Sequence, residues 1–301
     1  MDKIIHLKSI ADLHKLFQFS QSMQHPLIAI VEVASNAFHT NKSIKVSADF
    51  YTIIFKTYQK DTIKYGRRTI DFQNGSLICI APNQVIELED ESENISIMEG
   101  WALFFHPDFI RGTTLNSKFK EYSFFNYDVT EALHLSDKEK TNLKECVLKI
   151  QSELLENIDS HSQNIIVSTI ELLLNYCTRY YNRQFITRKS TNSSVVTKVE
   201  NVLTTFIENL EKQSLPTVKS LAKEVHLSSS YLSDLLKKET GKNAQEYIHF
   251  YLIEEAKNIL LGSNKSVNEI AYSLGFEYPQ YFNKLFKQKT GKTPIEYRNL
   301  N

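Results

Sequence analysis

The apolar positions of this chain change their period along its length, and each change marks an architectural boundary. Up to about residue 130 they come in short β-branched and aromatic runs: Leu27 to Val33, Phe50 to Tyr58, Ser76 to Ile80 and Ile95 to Phe105. Runs of this kind predict strands, and a strand pair in the last of them. Asn74-Gly75 is a hairpin-type turn signal, and Pro82-Asn83 closes the strand after it. Many short strands with turns between them predict a small sandwich or barrel over residues 1–130.

From residue 136 the period becomes helical. Ser136 with Glu139 forms a capping box, which starts a helix there. Leu143, Val147, Ile150 and Leu154 follow at four-three-four spacing, and after a break at Asp159 to Ser162 the spacing returns with Ile166, Ile170, Leu173, Cys177 and Tyr180. This predicts a helical hairpin over 131–186 with one apolar seam per helix. The seams either pack on each other and on the β region, or pair two copies of the chain. The heptad-like spacing makes Leu143, Val147, Ile150, Leu154, Ile166, Ile170 and Leu173 candidate dimerisation residues of a homodimer. Arg188 to Ser194 is polar and lacks a period, so 187–194 is expected to be a linker. Beyond it, Val199, Val202, Leu203, Phe206, Ile207 and Leu210 make an amphipathic helix.

The last hundred residues contain a repeat. Tyr231 to Lys242, YLSDLLKKETGK, sits over Tyr281 to Lys292, YFNKLFKQKTGK. Ahead of them Leu221-Ala222 and Val225 align with Ile270-Ala271 and Leu274, one residue out of phase. Each copy reads as a short helix, a tight turn and a second helix, which is a helix-turn-helix. His226 and Gly275 occupy the turns, where glycine adopts a positive φ easily and histidine does so at a cost. Thr217, Ser228 and the Ser266–Glu269 pair are the capping signals. Tyr231, Leu232, Leu235 and Leu236 form the buried face of one second helix, and Tyr281, Phe282, Leu285 and Phe286 that of the other. Ser229, Ser230, Ser233, Asp234 and Lys237 then point outward in the first copy, and Gln280, Asn283, Lys284 and Lys287 in the second. Ala244 to Leu261 reads as one helix between the copies. If both second helices enter adjacent major grooves, their centres lie ~34 Å apart. Ser228, Lys237, Lys287 and Lys289 are candidate phosphate contacts, and double-stranded DNA is the expected partner. A bare helical bundle would show the same apolar faces, but not two polar outward faces with Lys at both helix ends. Thr-Gly-Lys is a helix stop and no phosphate loop, because no glycine-rich turn accompanies it.

At 301 residues the chain is long enough for two domains. Lys plus Arg and Asp plus Glu are both 35, so the formal net charge is zero. That excludes a uniformly basic coat, and DNA affinity has to come from local placement of charge. From residue 195 on there are 14 basic and 12 acidic residues. Cys79, Cys146 and Cys177 are odd in number, far apart and each set among apolar residues. They read as buried free thiols in a reducing compartment. Lys3, His6 and Lys8 interrupt the start, so no signal peptide is expected. No apolar run approaches the ~18 residues of a membrane span. A soluble, cytoplasmic protein with no membrane contact is expected.

Ile270 to Lys287, IAYSLGFEYPQYFNKLFK, with Thr290 to Arg298, TGKTPIEYR, resembles the signature of the AraC/XylS family of bacterial transcription regulators. The likeness covers about Val199 to Arg298. It implies a seven-helix DNA-binding domain over 195–301 and a role at promoters, most often activation through RNA polymerase. The family's base-reading positions fall on Ser230, Ser233 and Asp234 in the first copy and on Gln280, Asn283 and Lys284 in the second; Ser229 joins them as an outward residue. The family often carries Arg in the linking helix, where this chain has Phe250 and Leu252. Asp234 stands where a basic or amide side chain is common. Gly75 to Pro82 and Gly100 to Phe109 resemble, more loosely, the cupin-like sensor domain of such regulators. The resemblance therefore implies an α+β chain: a cupin-like β-barrel or sandwich with a helical hairpin, then an all-α domain with two helix-turn-helix motifs. A small effector inside the barrel is implied as well. Tyr51, Phe55, Tyr58, Tyr65 and Trp101 are candidates to line it, although aromatic alternation is also the pattern of plain core. The His-x-His and Glu ligands of enzymatic cupins are missing, so no metal, cofactor or catalytic residue is expected, and His106 reads as a structural strand-end histidine. The competing reading is an effector-independent DNA-binding protein whose first domain only dimerises or contacts a partner. A cupin-type enzyme with a helical tail is a third.

Overall fold

The computed structural model describes residues 4–19, 23–33, 43–58, 63–65, 68–70, 75–88, 97–156, 161–187, 189–208 and 215–299. The chain divides into two compact units, Met1–Ile186 and Thr187–Asn301.

The first unit contains β1 (Ile4–Leu7), α1 (Ile10–Phe17), β2 (Ile28–Glu32), β3 (Ile44–Ala48), β4 (Tyr51–Tyr58), β5 (Ile63–Tyr65), β6 (Arg68–Ile70), β7 (Ser76–Ile80), β8 (Ile86–Leu88) and β9 (Ile97–Phe105). Two short helices, α2 (Pro107–Ile110) and α3 (Thr114–Lys118), lead through 3-10 turns to β10 (Leu133–His134), α4 (Asp137–Leu155) and α5 (Ser162–Thr187). Among the described residues the strands form three sheets, β1-β3-β8, β10-β7-β4-β9-β2 and β5-β6, and none of them closes. Where a strand pair was expected from Ile95 to Phe105, the described residues Ile97–Phe105 form one long strand, β9, paired with β4 on one side and β2 on the other. α1 and β1 have no counterpart among the runs above. Yet Ser9 and Asp12 form a capping box, with Asp12 N–H donating to Ser9 Oγ at 3.1 Å and Ser9 N–H to Asp12 Oδ2 at 3.0 Å. His106 caps α2 by accepting from Asp108 N–H at 3.2 Å.

β4 is central, and its two faces differ. Tyr51, Ile53 and Phe55 share a face with Leu77, Cys79, Trp101, Leu103 and Phe105 across the register. Helix α5 packs on this face. Cys177 lies in hydrogen-bonding reach of Cys79, whose thiol is held well above its ordinary pKa, first by burial and then by Cys177. All three cysteines are buried and free. The tie to the hairpin is polar at its rim. Arg183 donates to both oxygens of Glu139 (3.0 and 2.8 Å) and to the His134 carbonyl (2.7 Å). Gln184 accepts from His134 N–H at 2.9 Å.

The hairpin seams are intramolecular core. Leu143, Ile150, Ile170 and Leu173 are 0% exposed, and Val147, Leu154 and Ile166 no more than 6%. The expectation that these seven residues pair two copies is therefore corrected: the seam that repeats along each helix is used up within the unit. What the helices leave outside is another stripe, Leu148 and Leu155 on α4 with Ile165 and Leu172 on α5.

Among the described residues the second unit's regular structure is helical: α6 (Lys189–Glu208), α7 (Val218–Glu224), α8 (Ser229–Thr240), α9 (Ala244–Gly262), α10 (Val267–Ser273), α11 (Pro279–Thr290) and α12 (Pro294–Arg298). Residues 189–194, expected to be an irregular linker, are the first turns of α6. Polar residues continue a helix when their side chains find partners in the fold. Asn192 is 2% exposed and donates to Glu239 Oε1 at 3.1 Å, while Val195, Val196 and Val199 pack into the core.

Leu173→Ala is expected to destabilise the chain by about 2–5 kcal/mol, as for a buried Leu truncated without collapse of its site. Leu172→Ala, one residue along and 48% exposed, should change stability by no more than about 0.5 kcal/mol. Thermal denaturation followed by circular dichroism measures both. Equal effects would show that the seam is not the core.

Candidate nucleic-acid interface

The two repeats close their turns in the same way. Leu227 N–H donates to the Ala222 carbonyl at 2.9 Å, and Phe276 N–H to the Ala271 carbonyl at 3.0 Å. Reversing the chain this sharply needs one left-handed residue. His226 sits at φ 59° and Gly275 at φ 82°, so the histidine adopts the geometry that glycine adopts freely. Ala222 and Ala271 are 2% and 0% exposed, and their small side chains let the paired helices approach. The one-residue slip between the copies falls just after the turn, where Glu277 is extra. Ser228 then caps α8 by accepting from Tyr231 N–H at 3.1 Å. Tyr278 begins α11 with Pro279 in the first turn and gives no side-chain cap.

The repeat continues past Thr-Gly-Lys. Gly241 and Gly291 take left-handed φ values of 77° and 79° and donate to the Lys237 and Lys287 carbonyls. Thr240 and Thr290 donate to the Leu236 and Phe286 carbonyls (2.7 and 2.8 Å) and accept from Lys242 and Lys292 N–H (3.3 and 3.2 Å). Capping boxes Asn243–Glu246 and Thr293–Glu296 start α9 and α12. α9 has 19 residues. At 1.5 Å per residue it spans about 28 Å, close to the length of one DNA turn.

Most candidate contacts are placed together on the open faces of α8 and α11. Ser229 and Lys237 are exposed, and Ser230 and Asp234 are partly so. Gln280, Lys284, Lys287 and Lys289 are all exposed. Ser228 already spends acceptor capacity as the cap of α8. Three expectations need correction. Ser233 faces sideways as well as outward, because its Oγ accepts from Ala244 N–H at 3.3 Å. Asn283 occupies the matching place in α11, and its Oδ1 is buried with no donor among the described residues. The reason is covalent: the counterpart of Ala244 is Pro294, which has no N–H. Tyr281, expected in the core, is 46% exposed. In the linking helix, Leu252 is buried at 1%, whereas Phe250 is exposed with Lys242 Nζ 4.6 Å from its ring centre.

The effector candidates are not brought together around the cavity of the first unit. That cavity lies between the two larger sheets and is lined by Leu7, Val46, Thr52, Ile54, Lys56 and Ile86, among others. Strand residues alternate between faces, so Tyr51, Phe55 and Trp101 point away from it. Tyr51 packs 4.1 Å from Phe119, ring centre to ring centre. Phe55 and Trp101 floor a separate open cleft beside α4. The side chains of Tyr58 and Tyr65 lie outside the described residues.

Residues 221–300 match the family model described as a helix-turn-helix domain. The C-terminal unit carries an AraC-type helix-turn-helix domain. Among curated relatives, the HTH-type transcriptional regulator YobQ of Bacillus subtilis is 39% identical over 83 residues, 28% of this chain and 34% of that protein. YisR of the same organism is 37% identical over 84 residues, 28% of this chain and 29% of its own length. The chain thus spans about a third of the length of these relatives. A third, YfiF of B. subtilis, is 25% identical over 257 residues, 83% of this chain and 77% of that one. Among solved structures, the C-terminal domain of the response regulator yesN from Fusobacterium nucleatum is 36% identical over 33% of this chain and 95% of that one, with a TM-score of 0.29.

The contrast between Ser233 and Asn283 in the AraC-type domain is testable. Ser233→Ala should destabilise the chain by about 1 kcal/mol, since it leaves a helix-start N–H without its acceptor. Asn283→Ala removes a buried acceptor that has no donor and should be close to neutral. Denaturant titration of both variants reads the difference, and a larger loss for Asn283→Ala would refute the assignment.

Proposed function

We propose that the chain is a sequence-specific transcription regulator that binds double-stranded DNA through α8 and α11, with RNA polymerase as the partner of an activating role. The single observation that carries this reading is the pair of recognition helices with open polar faces, held in one unit by α9. Lys237, Lys287 and Lys289 stand at the ends of these faces and serve phosphates. Gln280 stands in the first turn of α11, where a recognition helix meets base edges, and Lys284 one turn further on the same face. No helix among the described residues is long and apolar enough to cross a membrane.

The exposed stripe of Leu148, Leu155, Ile165 and Leu172 supports a homodimer. On each helix the two residues are one heptad apart, which suits helix-to-helix pairing better than the buried seam does.

The cavity of the first unit supports control by an effector in a cupin-like sandwich. Its wall is mostly apolar, with Ser47, Thr52, Lys56, Ser76 and Gln84 as polar groups. That chemistry fits a largely apolar molecule with one acidic or hydrogen-bonding end. Such a ligand should raise the melting temperature of the wild-type chain, because it binds the native state alone. Ile54→Trp, which fills the cavity, should abolish the rise. If no compound of this class shifts melting, the effector-independent reading is preferred.

DNA binding itself should weaken steeply with salt, because the lysines act by displacing counterions. Fluorescence anisotropy between low and physiological salt measures this, and a flat response would reject the lysine contacts. Gln280→Ala and Lys284→Ala should relax base preference in one half of the site, at about 1–3 kcal/mol each. Selection from randomised duplexes reads the preference. An unchanged motif with uniformly weaker binding would place both residues on phosphates instead.

A further inference from the structure

The first turn of α11 differs from that of α8, although both carry a tyrosine at the same position. Tyr231 and Tyr281 hold the same position, three residues beyond the helix cap. Tyr231 is 7% exposed and Tyr281 is 46% exposed. The neighbour beneath them differs. The first copy has Leu227 after its turn, whereas the second has Phe276, which is 1% exposed. The Phe276 ring lies 5.9 Å from that of Tyr281 and 5.2 Å from that of Phe282. A phenyl group fills the space under the first turn, and a close-packed interior has no room for a second ring there. Tyr281 is left on the outer side.

Its place on the helix is specific. At 100° per residue, Tyr281 stands beside Gln280, Lys284 and Gln288 on one exposed arc. Tyr278 is exposed too, at 62%, but the neighbouring Glu277 carboxylate raises its pKa. An acid at that spot keeps phosphate away from Tyr278. Tyr281 is instead followed, one turn on, by the exposed cation Lys284.

We propose that Tyr281 is a specificity-determining residue of the second recognition helix, packing its ring on the 5-methyl group of thymine in the major groove. This rests on the reading of α8 and α11 as recognition helices. Residues in the first turn of such a helix meet base edges. Thymine is the base with an apolar group in the major groove, and apolar side-chain surface distinguishes it by contact. The first copy cannot make this contact through Tyr231, which is buried. The two copies therefore read DNA by different chemistry: polar groups alone from α8, and polar groups plus one aromatic ring from α11.

The test uses the full chain and an operator selected from randomised duplexes. The half-site of α11 is the one whose preference changes in Lys284→Ala. Each thymine in it is replaced by deoxyuridine, which removes the methyl group and nothing else. The wild-type chain should lose about fourfold in affinity at one or two positions, the equivalent of one buried methyl group. Tyr281→Phe should keep that sensitivity. Tyr281→Ala should bind thymine and deoxyuridine duplexes alike, with an unchanged circular dichroism spectrum. The proposal is overturned if the wild type ignores the methyl group throughout the half-site, or if Tyr281→Ala still senses it. It is also overturned if Tyr281→Phe loses as much as Tyr281→Ala, which would assign the hydroxyl to a phosphate. A wild-type chain that selects no sequence at all would reject the DNA reading, and this contact with it.

Discussion

The hydroxyl of Tyr247 donates to Glu200 Oε1 at 2.7 Å and ties α9 to α6. The Tyr247 hydroxyl is held far above its ordinary pKa, by burial first and then by Glu200, so the bond persists across the physiological range. The rest of the second unit depends on what this bond secures. A helix that serves two motifs has to be fixed along its length, or the motifs drift relative to each other. Near its start, α9 is held by the Asn243–Glu246 box and by Ser233. Near its end, Arg298 donates to the Leu260 carbonyl at 3.2 Å and to the Lys265 carbonyl at 2.6 Å. Leu252, Ile253, Ala256 and Leu260 lie in the core between those points. Arginine at position 252 would have broken this row of apolar residues, whatever it added on DNA.

Most of the helix-turn-helix architecture was legible because its signals are local. A cap, a left-handed turn residue and a glycine stop each act within four residues, and sequence order displays them directly. The capping pair Ser266–Glu269 and the left-handed His226 are of this kind, as is Ser136–Glu139 at the start of α4. What could not be read was set by residues far apart or by the identity of one neighbour. Tyr231 and Tyr281 are the same residue in the same pattern, and Leu227 against Phe276 decides which one is buried. Asn283 lacks a donor because of Pro294, eleven residues on. Arg183, Glu139 and His134 meet across the hairpin, and no spacing rule announces them.

The first unit shows a different limit. Alternation tells the two faces of a strand apart only when one face is wet. On β4 both faces are covered: Ile53 and Phe55 against α5 and its neighbours, Thr52 and Lys56 against the cavity, all four 8% exposed or less. Aromatic residues drew attention to one face, while the space for a ligand lies behind the other. The hairpin seam failed for a related reason. A four-three repeat records that a helix face is buried and says nothing about which chain buries it.

The two recognition helices are also unequal in charge, which bears on how the proposed regulator would divide its work. α11 presents Lys284, Lys287 and Lys289 with no acid among its own residues. α8 presents Lys237 and Lys238 but also Asp234, while Glu239 is engaged by Asn192. A carboxylate near the start of a recognition helix repels phosphate, yet it accepts from cytosine N4. The second motif is therefore suited to supply most of the attraction, and the first to reject wrong sequences. Division of this kind needs the spacing between the motifs to be rigid, since an attractive motif that could swing freely would hold the chain on sites the other motif had refused.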